Sequence, residues 1–174
     1  MLITQLRKDE DLKDFITQSC CENEVCVEID EAIEEEDYLV VQLDKYYQAK
    51  IKSPNTPKSP DCLIVQKCEQ EQHRIFVVEL KNVQSQSGKY LERAAIREKF
   101  ETALLDFMSD RFRAYFYDED NQFRLYLILV AGNVNEEKTK NFRFDFLLSL
   151  RPLRFANRLY AIQGKNPNPL VVSC

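Results

Sequence analysis

One stretch of this 174-residue chain places charges where charges are costly. Residues 74–80 read RIFVVEL, and Lys81 follows. Extended chain alternates its side chains between two faces. Glu79 and Lys81 therefore project on one side, and Phe76, Val78 and Leu80 on the other. A glutamate among Ile75, Val77, Val78 and Leu80 loses hydration unless it is paired or metal-bound. Upstream, Pro60-Asp61 opens a second apolar run, DCLIVQKC. Antiparallel pairing of the two runs puts Asp61 opposite the exit of its neighbour. Two carboxylates and an ammonium then share one small volume.

That set suits phosphodiester hydrolysis. Magnesium or manganese is commonly held by one or two carboxylates plus water and substrate phosphate. A bound metal acidifies a water and stabilises charge on the leaving oxygen, and a lysine orients that water or offsets the developing charge. Asp61 and Glu79 are the candidate ligands, Lys81 is the candidate catalytic cation, and the backbone carbonyl of Leu80 offers a further oxygen. The structural alternative is a strand-edge ion pair between Glu79 and Lys81, with Asp61 as a turn residue after proline. An acid two residues before a lysine recurs at 11–13 and 136–138. Only Glu79 lies in an apolar strand, and Pro-Asp occurs once.

The elements that must position these residues read from periodicity. Leu12, Phe15 and Ile16 predict a helix over 7–20. Val25, Val27 and Ile29 alternate as a short strand, EEED at 34–37 is an acidic turn, and YLVVQL at 38–43 is a strand. Residues 44–60 read as a loop, because Pro54, Pro57 and Pro60 remove ladder donors. Strands at 61–68 and 74–80 form a hairpin around a polar turn, and 82–88 is a loop. Ile96, Phe100, Ala103, Leu104, Phe107 and Met108 form one apolar stripe on a helix over 89–110. FRLYLILVAG at 123–132 is a strand buried on both faces. Residues 139–150 fit a strand or a helix, 158–164 is a last strand, and the tail begins loosely. This order predicts a single α/β (α+β) domain over 1–174, a mixed sheet with a crossing helix.

Pro60-Asp61 and Glu79-Leu80-Lys81 resemble the motifs of the PD-(D/E)XK nuclease superfamily, whose fold is restriction-endonuclease-like. The family core is a helix, a three-stranded meander, a crossing helix and a further strand. The resemblance covers about residues 7–131 in element order. It implies that Asp61 and Glu79 bind Mg2+ or Mn2+, that Lys81 assists the attacking water, and that DNA is the substrate, in restriction-type defence or repair. Such families often add an acid from the first helix or its vicinity, for which Asp14, Glu28 and Glu31 are the candidates. A two-fold homodimer would supply two sites for cutting a duplex. The alternative is a catalytically inactive module of the same fold that binds protein or nucleic acid.

Charge is uneven. The net value is −5, but residues 1–44 carry 3 basic and 14 acidic side chains. Residues 138–165 carry Lys138, Lys140, Arg143, Arg151, Arg154, Arg158 and Lys165 against Asp145 alone. That basic portion can grip phosphates in an acidic chain. Lys89, Arg93, Arg97 and Lys99 alternate with acids, which favours ion pairs along the helix surface. Tyr46 and Tyr47, beside Lys45, Lys50 and Lys52, either stack on bases or pack over the core edge.

No apolar run approaches the ~18–20 residues of a membrane span. The chain turns acidic by residue 9, unlike a secretory leader, which predicts a cytoplasmic protein with free thiols at its six cysteines. Cys62 reads as a small buried hydrophobe. The spacings lack the paired CxxC signature of zinc. No nucleotide-binding glycine loop, HExxH or serine triad pattern is present.

Overall fold

In the computed structural model, which describes residues 2–68, 72–83, 91–118, 122–132, 142–166 and 170–172, short strands and helices alternate. The chain runs α1 (Leu2–Lys8), β1 (Ile16–Thr17), β2 (Cys20–Glu22), β3 (Val25–Ile29), β4 (Tyr38–Gln42), α2 (Leu43–Lys50), β5 (Cys62–Lys67) and β6 (His73–Asn82). It continues through α3 (Arg93–Glu101), α4 (Arg113–Phe116), β7 (Phe123–Gly132), β8 (Leu153–Phe155), β9 (Arg158–Tyr160), β10 (Ile162–Lys165) and β11 (Leu170–Val172). The fold is mixed α+β, built on a six-stranded mixed sheet in the order β1-β4-β5-β6-β7-β10.

The meander β4-β5-β6 is antiparallel throughout. After the crossing helix, β7 returns parallel to β6, pairing His73 with Phe123 through to Asn82 with Gly132. The unbroken apolar run of β7 follows from this place, because central strands are covered on both faces. On one face, Leu63, Val65, Ile75, Val77, Leu127 and Leu129 meet the helices through Leu6, Tyr47, Phe100 and Phe107. On the other, Val40, Ile64, Val78, Leu80 and Val130 meet Cys20, Val25 and Val27. Those last three belong to a smaller sheet ordered β11-β3-β2. The main sheet is thus sandwiched between a helical layer and a second sheet.

Several expectations shift. The helix expected over 7–20 sits earlier, at Leu2–Lys8, and buries Leu2, Ile3 and Leu6. Asp9 ends it. Its Oδ1 accepts the Asp11 N–H at 2.8 Å, and its carbonyl accepts from Leu12 and Lys13 at 3.1 and 3.0 Å. An aspartate that bonds its own downstream backbone competes with the helix ladder. Residues 44–60 are not all loop, because α2 occupies Leu43–Lys50 before the first proline. The long helix keeps its stripe, but its second half widens into π-helical turns over Thr102–Arg111. Residues 145–149 form a 3-10 turn, resolving part of an ambiguous stretch. The last strand expected over 158–164 is two strands, β9 and β10, and β11 follows it by pairing parallel to β3. The polar turn at 69–71, most of the 82–88 loop, Lys89, Lys138, Lys140 and residues 167–169 of the tail lie outside the described residues.

The free-thiol expectation is overturned. Cys20 bridges to Cys62 and Cys21 to Cys26, and Cys68 is also disulfide-bonded. Cys62 is buried as expected, but as half of a bridge between layers. Sequence spacing could not find that pair, since 42 positions separate its members. Among the described residues no helix is long and apolar enough to cross a membrane.

Candidate active site

The ladder between β5 and β6 ends on Cys62 opposite Val78. One step further, the antiparallel geometry sets Asp61 across from Glu79. Alternation then decides the face. Leu63, Val65, Ile75 and Val77 point to the helical layer, so Asp61 and Glu79 point there too. Glu79 is fully buried and Asp61 is 8% exposed. Asp61 is fixed from two sides. Its Oδ2 accepts the Leu80 N–H at 2.6 Å, and its carbonyl accepts the Leu43 N–H that opens α2 at 2.9 Å.

Glu79 is held asymmetrically. Lys81 Nζ stands 2.6 Å from Oε1, and Lys99 Nζ stands 2.7 Å from the same oxygen. Oε2 is buried with no hydrogen-bond partner. Leaving a buried acceptor unmade costs about 1–3 kcal/mol, and more for a charged group. Lys99 arrives from α3, which carries it over the strand while Ile96 and Phe100 bury the adjoining face. Arg97 keeps to the surface with Glu101 at 2.9 Å, and Arg93 bonds Ser149 Oγ at 3.1 Å. Of the helix cations expected to pair along the surface, Arg97 does so and Lys99 turns inward.

The electrostatics follow the burial. Desolvation first, and then the Glu79 charge, push Asp61 up to about 8, against a lowering by the Leu80 N–H. Burial works against the Lys81 ammonium, yet the Glu79 carboxylate more than offsets it and raises the lysine above its ordinary value. Glu22, at the end of β2, adds its charge to Asp61, Lys81 and Asp44. Asp44, in the first turn of α2, is raised mainly by burial. Glu22 is thus an acid of the N-terminal portion whose charge bears on the site, outside the expected set of Asp14, Glu28 and Glu31. A turn sets it there: Asn23 and Glu24 both adopt left-handed backbone, φ 47° and 68°, and the Asn23 carbonyl accepts from Asn82 Nδ2 at 3.1 Å.

A divalent cation fits this donor set. Asp61 and Glu79 are a neighbouring pair of carboxylates, with Lys81 and Lys99 both on one oxygen of Glu79. Glu79 Oε2 is the unmet oxygen that would receive it, beside Asp61. Among the described residues no three His, Cys, Asp or Glu side chains stand close enough to hold a metal by themselves. Two carboxylates completed by water and phosphate is the ordinary magnesium arrangement. The Leu80 backbone contributes its N–H to Asp61 rather than a shown contact through its carbonyl.

Other expected groups stand apart. Tyr46 and Tyr47 are buried at 3% and 0% exposure, so they pack in the core and cannot stack on bases. Tyr47 donates to Asp106 Oδ2 at 2.5 Å. Arg158 lines a cleft of about 480 Å³ with Arg124, Gln72, Phe123 and Tyr160. That cleft sits at the start of β6, about 20 Å along the strand from Glu79 at ~3.3 Å per residue. Arg143, Arg151 and Arg154 are exposed. No family model, no curated protein and no solved structure matches this chain.

Proposed function

We propose that this chain is a metal-dependent nuclease of the restriction-endonuclease-like fold that hydrolyses DNA phosphodiester bonds. The observation that carries the reading is the buried, unmet Oε2 of Glu79 beside Asp61, with two lysines on the other oxygen. Element order supports it: a helix, the antiparallel meander β4-β5-β6, the crossing α3, and β7 parallel to β6. Asp61 and Glu79 would hold Mg2+ or Mn2+, which when bound lowers the pKa of water and stabilises charge on the scissile phosphate. Lys81, 32% exposed, reaches solvent from Glu79 and orients the attacking water. Lys99 keeps Glu79 aimed by holding Oε1 from the helix side. The exposed arginines of the C-terminal portion supply phosphate contacts, and a two-fold homodimer would present two such sites to a duplex.

A second reading, an inactive module of this fold, is favoured by one feature. Asp61 Oδ2 is taken by the Leu80 N–H and Glu79 Oε1 by two ammonium groups, so half of each carboxylate is satisfied internally. Supercoiled plasmid separates the two readings. The nuclease reading expects cutting with Mg2+ or Mn2+, abolished in Glu79→Gln and in Lys81→Ala proteins with native circular dichroism. Absence of cutting on plasmid, linear duplex and single-stranded DNA by folded wild-type protein would overturn it.

A further inference from the structure

Cys62 follows Asp61 in the chain and faces the opposite side of the sheet. There it is bonded to Cys20 of the small sheet, with the two Cα atoms 6.0 Å apart. Cys20 and Glu22 are alternate residues of β2 and project the same way. Cys20 is buried under the main sheet at 1% exposure, while Glu22 is exposed. One covalent bond therefore fixes the strand that bears Glu22 to the strand start that bears Asp61. Among the described residues the other ties on this hairpin are noncovalent: Asn82 bonds the Asn23 carbonyl, Val25 and Val27 pack on the main sheet, and β11 pairs with β3.

The neighbouring bridge has no such role. Cys21 faces solvent and joins Cys26, its direct cross-strand partner within the hairpin. It closes the hairpin on itself and ties no layers together. Of two disulfides on adjacent residues, only the buried one connects to the strand that bears Asp61.

We propose that the Cys20–Cys62 disulfide is a redox latch on the candidate metal site, holding the β2–β3 hairpin, with the strand end that bears Glu22, to the strand start that bears Asp61 when closed and releasing it when opened by a dithiol reductant. The link to metal rests on the nuclease reading above. The dithiol supplies two electrons and two protons. The Cys20–Cys62 S–S bond breaks, both cysteines become thiols, and the reductant leaves as its own disulfide. Burial of both sulfurs makes the opening slow, because a thiolate reaches them only when the hairpin lifts.

The test compares oxidised wild type, wild type reduced with dithiothreitol and desalted anaerobically, Cys20→Ala/Cys62→Val, and Cys21→Ser/Cys26→Ser. The Ala/Val pair keeps the contact apolar, so the layers stay packed. Amide hydrogen exchange without metal is the first readout. Opening the latch is expected to speed exchange over 20–29 while 73–82 stays protected, and the Cys21/Cys26 pair is expected not to speed exchange over 27–29. Unchanged exchange over 20–29 in the Ala/Val protein overturns the latch. The second readout is the Mn2+ concentration that half-stabilises each protein against heat. A rise of about two- to fivefold is expected on opening, the scale of one exposed charge removed. No further rise is expected when Glu22→Gln is already present. Faster exchange with an unmoved Mn2+ midpoint overturns the link to the site. If Mn2+ stabilises no form, the metal reading fails, and the exchange result still decides the latch.

Discussion

Lys99 Nζ lies 2.7 Å from Oε1 of Glu79, reaching it from the crossing helix. This contact binds the helical layer to the one charged side chain that is fully buried in the central strands. Breaking a buried pair from one side strands the remaining charge, but Lys81 still holds the same oxygen. Lys99→Met is expected to cost about 1–3 kcal/mol in urea unfolding. The same change in a Glu79→Gln background is expected to cost nearly nothing, since coupling between contacting residues is lost with either partner. Equal costs in both backgrounds would mean that Lys99 contributes by packing alone.

Asp61 gives the fold a pH dependence of definite sign. Its proton is held up to about 8, against 3.8 for an ordinary aspartate. Between those values the folded chain binds a proton that the unfolded chain has lost. The contribution is therefore complete below about pH 4 and is lost as pH rises through about 8. Asp61→Asn removes the titration. Urea midpoints measured from pH 4 to 9 are expected to fall faster in wild type than in the variant. Parallel curves would show that Asp61 is not held above its unfolded value.

The legibility of the site was uneven, for physical reasons. Glu79 announced itself because a charge in an apolar strand has few cheap explanations, and period-two alternation placed it with Lys81 and opposite Asp61. Lys99 was hidden because it sits among Glu98 and Glu101, where surface pairing explains a lysine equally well. Which helical residue turns inward depends on the rotation of α3 over the sheet, and periodicity fixes the apolar stripe better than its flanks. Glu22 was hidden by a left-handed turn at Asn23-Glu24 that carries no glycine. The helix at Leu43–Lys50 was masked by the prolines that follow it. The Cys20–Cys62 disulfide depended on which strands stack, a relation between layers that local pattern does not contain.

Metal binding has a readout apart from cleavage. A cation that binds only the folded chain stabilises it by about 2.7 kcal/mol at one hundred times its dissociation constant. For a chain of this length that is about 5–10 °C in melting temperature. Mg2+ or Mn2+ is expected to produce this rise in wild type and none in Glu79→Gln. Because the ion competes with the Asp61 proton, the concentration needed is expected to fall as pH rises toward 8. Equal stabilisation of Glu79→Gln would place any bound ion elsewhere.

At the sheet's far edge, Phe144 packs onto β10 at a position that only glycine leaves open. A Cβ at Gly164 would stand 2.0 Å from Phe144 Cγ and 2.6 Å from Phe144 Cβ. The second distance matters more, since a ring can swing away but a Cβ moves only with its backbone. Phe144 is itself pinned by an edge contact with Phe142, centroids 4.9 Å apart, and Phe142 is buried in the helical-side core. Gly164→Ala is therefore expected to destabilise by about 1–3 kcal/mol, the usual cost of overpacking. Adding Phe144→Ala removes the ring but leaves its Cβ. The double variant should then recover only part of the loss beyond what Phe144→Ala costs alone. Full recovery in a double-mutant cycle would show that the ring, and not the backbone beneath it, sets the approach of the 142–150 segment to the sheet edge.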